Sequence, residues 1–173
     1  MSVDLIVEGY ASNIHGVMRC GKLVLPCSLG RSGISSTKHE GDGATPIGAF
    51  PLRRLLYRAD RLERPVTKLP LSVIARDDGW CDDAKDPAYN EQVKLPYGPS
   101  HEELWRDDQL YDLIVIIGYN DKPVVPGAGS AIFLHIRSPD GGPTAGCVAI
   151  AQSHLLDVLK QIDAGSKIII KTA

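Results

Sequence analysis

Residues Ser130 to Ile150 read SAIFLHIRSPDGGPTAGCVAI. The opening SAIFLHI is dense in β-branched and aromatic residues and reads as a buried strand, with His135 near its end. A Gly/Pro turn through Gly141, Gly142 and Pro143 follows, and then Cys147 directly after Gly146. If that turn folds back on itself, His135 and Cys147 meet. A thiol attacks a carbonyl as the thiolate, and a free cysteine with a pKa of roughly 8.5 needs a base or a positive environment to ionise at neutral pH. A neighbouring imidazole supplies one. Gly146 carries no side-chain bulk, which allows backbone N–H groups to approach a reacting carbonyl as an oxyanion hole. The same residues also have an ordinary structural reading, because unpaired cysteines are among the most buried residues and a single histidine is commonly hydrogen-bonded scaffold. Spacing alone leaves both readings open.

The 173-residue chain is long enough for one domain with a core that needs no covalent staples. Charged residues make up 23% and hydrophobic residues 43%, with a formal net charge of −2. Such a balance gives no electrostatic reason to bind nucleic acid. No apolar run reaches the about 20 residues of a membrane span, and MSVDLIVEGYASN has neither a basic n-region nor a sustained apolar h-region. Of the four cysteines, Cys20 and Cys27 flank a hairpin turn at Gly21-Lys22, in a register that sets Cys20 against Leu23 and Cys27 against Gly16. Neither a disulfide nor a metal site is expected from these spacings.

Along the chain, HGVMRCG and KLVLPCSLG read as paired strands, followed by the polar, Gly-rich stretch GRSGISSTKHEGDGATPIGAF. Arg53, Arg54, Arg58, Arg61, Arg64 and Lys68 form a basic run that is expected to be a solvated face. Residues 76–99 read as a long ordered loop suited to a lid, with Trp80 as an apolar wall. Ser100 and Glu103 have the spacing of a capping box, which predicts a short helix through Leu104, Trp105 and Leu110. YDLIVIIGYN reads as a buried strand. QSHLLDVLKQI carries a helical stripe at Leu155, Leu156, Leu159 and Ile162, and GSKIIIKT reads as a closing strand.

The segment from His135 through TAGCVAI, preceded by GDGATPIGAF and followed by a helix and GSKIII, resembles the L,D-transpeptidase (YkuD or ErfK) catalytic domain. Thr45, Pro46, Gly48 and Phe50 match that family's Thr-Pro-x-Gly-x-Phe signature, and Thr144-x-Gly146-Cys147 matches a short branch of it, with Ala145 where other members have histidine. The resemblance covers nearly the whole chain. It implies a mainly β fold, a sandwich or barrel-like pair of sheets with a few short helices. It also implies a cysteine acyltransferase acting on peptidoglycan stem peptides, with Cys147 as nucleophile and His135 as base, and with 3-3 or 1-3 crosslinks as products. No step of such a reaction needs a cofactor or metal. Substrate contacts are expected from Arg137, Tyr119, Asn120 and Trp80, with Thr144 orienting the Cys147 loop. Competing readings are a hydrolase on the same scaffold and a wall-binding module without catalysis. The expected location is the periplasm, with an export signal that is unconventional or lies outside this stretch.

Overall fold

The computed structural model describes residues 1–173, and its main sheet closes on itself. In chain order the strands are β1 (Leu5–Gly9), β2 (His15–Cys20), β3 (Leu23–Ser28), β4 (Ile34–Ser35), β5 (Thr45–Pro46), β6 (Gly48–Tyr57), β7 (Leu71–Val73), β8 (Asp78–Cys81), β9 (Gln92–Lys94), β10 (His101–Glu103), β11 (Leu113–Ile117), β12 (Phe133–Ile136) and β13 (Val148–Ile150). Helix α1 (Gln152–Leu159) and strand β14 (Lys167–Thr172) complete the chain. The large sheet runs β11-β12-β13-β3-β2-β1-β14-β6-β7, and β6 also pairs with β11. The long strand β6 therefore joins both ends of the sheet into a barrel and leaves β7 as an appendage. No helix is long and apolar enough to cross a membrane.

Side-chain alternation sorts the residues of this barrel between two cores. Leu113, Val115 and Ile117 of β11, Leu134 and Ile136 of β12, and Val148 and Ile150 of β13 point into the larger one. Helix α1 adds Leu155, Val158 and Leu159 to it, and Ile162 follows at the same helical spacing. The alternate residues Ile114, Ile116 and Phe133, with Leu56 of β6, face outward into a second core completed by Trp80, Leu104, Tyr111 and Cys147. This is why YDLIVII is apolar without alternation: both faces of its strand are buried.

The second core exists because the small sheet β10-β8-β9 covers the outer face of the barrel. Here the sequence expectations need correction. Residues 100–110 form no helix. His101, Glu102 and Glu103 pair with Cys81, Trp80 and Gly79 of β8, and the Leu104 N–H donates to the Asp78 carbonyl. These ladder bonds occupy the backbone groups a helix would need, so tertiary pairing overrides the capping-box pattern. The 76–99 segment is likewise built around the β8–β9 hairpin, and α1 is the single α-helix of the fold.

Two members of the basic run anchor this cap, Arg58 from a buried position and Arg61 from an exposed one. Arg58 is buried, forms a two-pronged ion pair with Asp60, donates to the Arg106 carbonyl at 2.7 Å, and lies 3.5 Å over the Trp105 ring. Arg61 donates to the carbonyls of Asp107 and Asp108 and to the Asp112 carboxylate. The hairpin β2–β3 has the expected register, with Cys20 opposite Leu23 and Cys27 opposite Gly16, and all four cysteines are unpaired.

Trp80 is a core residue, 6% exposed, with its ring edge-on to Phe133 at 5.0 Å and its indole N–H donating to Asn90 Oδ1 at 3.0 Å. Trp80→Ala is expected to lower unfolding stability by about 3–5 kcal/mol. Arg64→Ala, on an exposed side chain, is expected to stay within about 0.5 kcal/mol of the parent. Paired denaturant titrations of the two variants check this contrast.

Candidate active site

Strands β12 and β13 run parallel, with Leu134 opposite Val148 and His135 opposite Ala149. Paired residues of neighbouring strands point to the same face, so Phe133, His135, Cys147 and Ala149 all face away from the barrel interior. With a strand spacing of about 4.8 Å and an offset of two residues, the Cα atoms of His135 and Cys147 lie roughly 8 Å apart, within reach of both side chains. Both line one cavity of about 370 Å³, together with Thr144, Ala145, Tyr111, Leu110, Glu102 and Arg106 among others.

The connection from β12 to β13 is held in place by the end of β3. Thr144 donates its N–H to the Leu29 carbonyl and accepts the Arg31 N–H on its own carbonyl. Its hydroxyl donates to the Cys147 carbonyl at 2.7 Å and accepts the Gly146 N–H at 3.1 Å. The Thr45 hydroxyl reaches the same Cys147 carbonyl at 3.4 Å. The first threonine of the Thr-Pro-x-Gly-x-Phe stretch therefore braces the cysteine backbone from across the chain.

Gly146 has φ +138, and a Cβ there would sit 2.8 Å from the Ala44 carbonyl oxygen, so no other residue fits. Its own N–H donates to the Thr144 hydroxyl at 3.1 Å, so it is not among the backbone N–H groups left free for a ligand carbonyl. The part Gly146 plays is conformational: it lets the backbone pass Ala44 and present Cys147 to the cavity.

Cys147 is 6% exposed. Its thiol donates to the Ala131 carbonyl at 3.2 Å, and the Phe133 N–H donates to Sγ at 3.3 Å. Burial, with the nearby Glu102 charge, pushes its pKa up to about 12, against the opposing pull of the Phe133 N–H and the Lys38 ammonium. His135 is equally buried, and burial pushes its pKa down to about 4. Its Nδ1 lies 2.9 Å from the Ile136 carbonyl. A carbonyl only accepts, so Nδ1 carries the proton of the neutral ring and Nε2 is left as the basic atom. The Tyr111 ring meets the imidazole edge-on at 5.2 Å. Burial thus favours a neutral thiol beside a neutral imidazole, so ionisation of Sγ would require its proton to move to a base as it reacts.

The other sequence candidates are placed elsewhere, since Arg137, Tyr119, Asn120 and Trp80 do not line this cavity. Arg137 donates from Nε to the Ser28 hydroxyl on the far side of the turn. The Tyr119 hydroxyl donates to the Ala128 carbonyl at 2.6 Å, and its ring packs edge-on against Phe50. Asn120, at φ +50, closes a loop through the Val125 and Gly129 carbonyls and the Val125 N–H. Polar and aromatic type alone does not separate a lining residue from a turn-former. The cavity instead uses Glu40, Asp82, Glu102, Arg106 and Tyr111. Glu40 lies in the Gly-rich stretch just before Thr45, which was a usable signal. Glu102 had none, because its direction depends on pairing with Trp80.

The L,D-transpeptidase catalytic domain (YkuD) family model matches residues 13–170, and the chain belongs to that family. Among solved structures it is similar to an L,D-transpeptidase from Mycobacterium smegmatis, at 13% identity and TM-score 0.43, covering 98% of this chain and 59% of that one. It is also similar to L,D-transpeptidase 3 from Mycobacterium tuberculosis, at 13% identity and TM-score 0.43, covering 98% and 61%. L,D-transpeptidase 1 of the same organism gives 13% identity, TM-score 0.41 and coverage of 97% and 62%. The chain spans about three fifths of the length of these structures. No curated protein matches.

The depressed pKa of His135 makes stability depend on pH. The unfolded ring takes up a proton near its ordinary 6.5, whereas the folded one stays neutral to about 4. This contribution is complete above about pH 6.5 and is lost as pH falls through 4, a total of roughly 3 kcal/mol. Denaturant titrations at pH 7, 5.5 and 4 should show this loss in the parent and a correspondingly flatter profile in His135→Gln. Parallel profiles would contradict it.

Proposed function

We propose that the protein is a peptidoglycan L,D-transpeptidase, a periplasmic cysteine acyltransferase whose catalytic unit is the single domain 1–173. The observation that carries this reading is the placement of Cys147 and His135 on one sheet face, opening into one cavity. The donor stem peptide enters with its carbonyl carbon toward Sγ. The thiol proton moves to His135 Nε2 as the C–S bond forms, so a separated charge pair never has to persist in a dry site. The C–N bond then breaks, the leaving nitrogen takes the proton back from His135, and a thioester remains on Cys147. The amine of a second stem peptide attacks this thioester and yields the crosslink.

Burial of the thioester supports transfer over hydrolysis. Cys147 lies under the small-sheet cap and lines a cavity with room for a second substrate; an acceptor amine held there, with water restricted, would gain a large effective molarity. Both a 3-3 linkage, from a diaminopimelate carbonyl, and a 1-3 linkage, from an L-Ala carbonyl, fit this chemistry.

Incubation with purified disaccharide-peptide fragments, followed by mass analysis, tests the proposal. Crosslinked dimers are expected, and fragmentation of the dimers assigns the linkage. Shortened monomers alone would make the protein a hydrolase, and unchanged substrate with an unreactive Cys147 would make it a binding module. His135→Ala should lower dimer formation by about 10²- to 10⁴-fold while the fold is kept. A carbapenem adduct should map to Cys147 and to none of Cys20, Cys27 and Cys81.

A further inference from the structure

Acyl transfer between two amines moves more protons than Cys147 and His135 handle together. At neutral pH a primary alkyl amine, with a pKa of about 10, arrives as an ammonium. It must lose one proton before it can attack and a second as the tetrahedral intermediate collapses. His135 offers a single basic nitrogen, because Nδ1–H is committed to the Ile136 carbonyl.

A second proton-handling group stands in the same cavity. The pairing of β10 with β8 sets Glu102 opposite Trp80 and turns both toward the inner side of the cap. Glu102 Oε1 accepts the Tyr111 hydroxyl at 2.9 Å, and the Tyr111 ring lies edge-on to His135. Glu102, Tyr111, His135 and Cys147 thus share one continuous lining. The carboxylates of Glu40 and Asp82 line it as well, and Asp82 Oδ1 is buried without any hydrogen-bond partner. None of these three carboxylates takes part in a salt bridge. Of the cavity's cations, Arg106 is held by Asp108 at 2.6 and 2.9 Å, and Arg31 donates to the Gly41 carbonyl. Glu102 and Arg106 also line an adjoining outer cleft of about 580 Å³, so Glu102 stands where that cleft meets the Cys147 cavity.

We propose that Glu102 is a second catalytic acid–base, which receives the ammonium of the acceptor and handles the proton that His135 does not. This rests on the acyl-transfer reading above. In the first half-reaction Sγ bonds to the donor carbonyl carbon, the thiol proton passes to His135, and the C–N bond breaks. His135 gives its proton to the leaving nitrogen, and Glu102 in its acid form gives a second, so the amine departs as an ammonium and Glu102 becomes a carboxylate. In the second half-reaction the acceptor ammonium returns one proton to Glu102, and the neutral amine attacks the thioester carbon. The remaining proton passes through His135 to the thiolate as the C–S bond breaks. One ammonium enters, one leaves, and the enzyme regains its starting protonation. Burial and the charges of Asp82 and Glu40 hold the Glu102 carboxyl above the usual carboxylate range, against the pull of Tyr111 and Arg106, which brings the acid form within reach.

The test separates attack by an ammonium from attack by an amine that is already neutral. Cys147 is acylated with a small acyl thioester, whose thiol leaving group needs no second proton, and decay of the acyl-enzyme is followed by intact mass at neutral pH. The attacking amines are Nα-acetyl-lysine, protonated at that pH, and hydroxylamine, which is largely neutral. Glu102→Gln should slow decay by Nα-acetyl-lysine about 10²-fold and leave decay by hydroxylamine within about threefold of the parent. The deficit with Nα-acetyl-lysine should shrink as pH rises toward the pKa of its side chain. Glu102→Asp, which keeps the carboxylate, should give an intermediate loss with Nα-acetyl-lysine and none with hydroxylamine, and it decides the matter if the Gln variant folds poorly. Equal slowing with both amines, or no slowing with Nα-acetyl-lysine, overturns the proposal. Failure of the parent enzyme to form an acyl-Cys147 would instead refute the transferase reading itself.

Discussion

The parallel pairing of β12 with β13 is the constraint on which the rest of the structure depends. Its register sends Leu134, Ile136, Val148 and Ile150 into the barrel and leaves Phe133, His135, Cys147 and Ala149 on the outer face. A slip by one residue would exchange these two sets. It would bury an imidazole and a thiol among the leucines and isoleucines of the barrel and put Val148 where Cys147 stands. Four large apolar side chains committed to one core therefore hold two polar ones in place on the other side. The cavity inherits its precision from the barrel.

Burial then sets the electrostatics of the pair. Removal from water favours the uncharged form of each group, which raises the thiol and lowers the imidazole. The hydrogen bonds already present hold both groups in place. The Phe133 N–H donates to Sγ, the Ile136 carbonyl fixes the tautomer of His135, and the hydroxyls of Thr45 and Thr144 both converge on the Cys147 carbonyl. Through the Thr45 hydroxyl, and through the backbone bonds of Thr144 to Leu29 and Arg31, the Cys147 loop is tied to two distant parts of the chain.

The small sheet gives the cavity its second wall, and Arg58 and Arg61 pin the segment between that sheet and β11. Between them they donate to three backbone carbonyls in residues 106–108, which carry no regular secondary structure to satisfy them. A basic run that reads as solvated surface is in part the fastening of the cap. Through this fastening Tyr111 and Glu102 are brought into one cavity lining with His135 and Cys147, by a strand pairing remote from Cys147 in sequence.

The sequence by itself determined the elements whose signals are local. The apolar runs of β11, β12 and β14, the hairpin β2–β3 with its register, the stripe of α1, and the strand–turn–Gly-Cys order around His135 and Cys147 were all legible there, because alternation, helical spacing and turn residues act over a few positions. The two separated motifs also carried the family. What only the tertiary structure decided was every feature that depends on a partner far away in the chain. Trp80 became core because Phe133 lies against it, residues 101–103 became a strand because β8 was available to pair with them, and Arg58 was buried because Trp105 and the Arg106 carbonyl received it. Gly146 was recognisable as a glycine that had to be one, yet the direction of its N–H was set by the hydroxyl of Thr144. Residue type limits what a side chain can do, but the burial and neighbours that select among those possibilities come from contacts between segments that the linear sequence keeps apart.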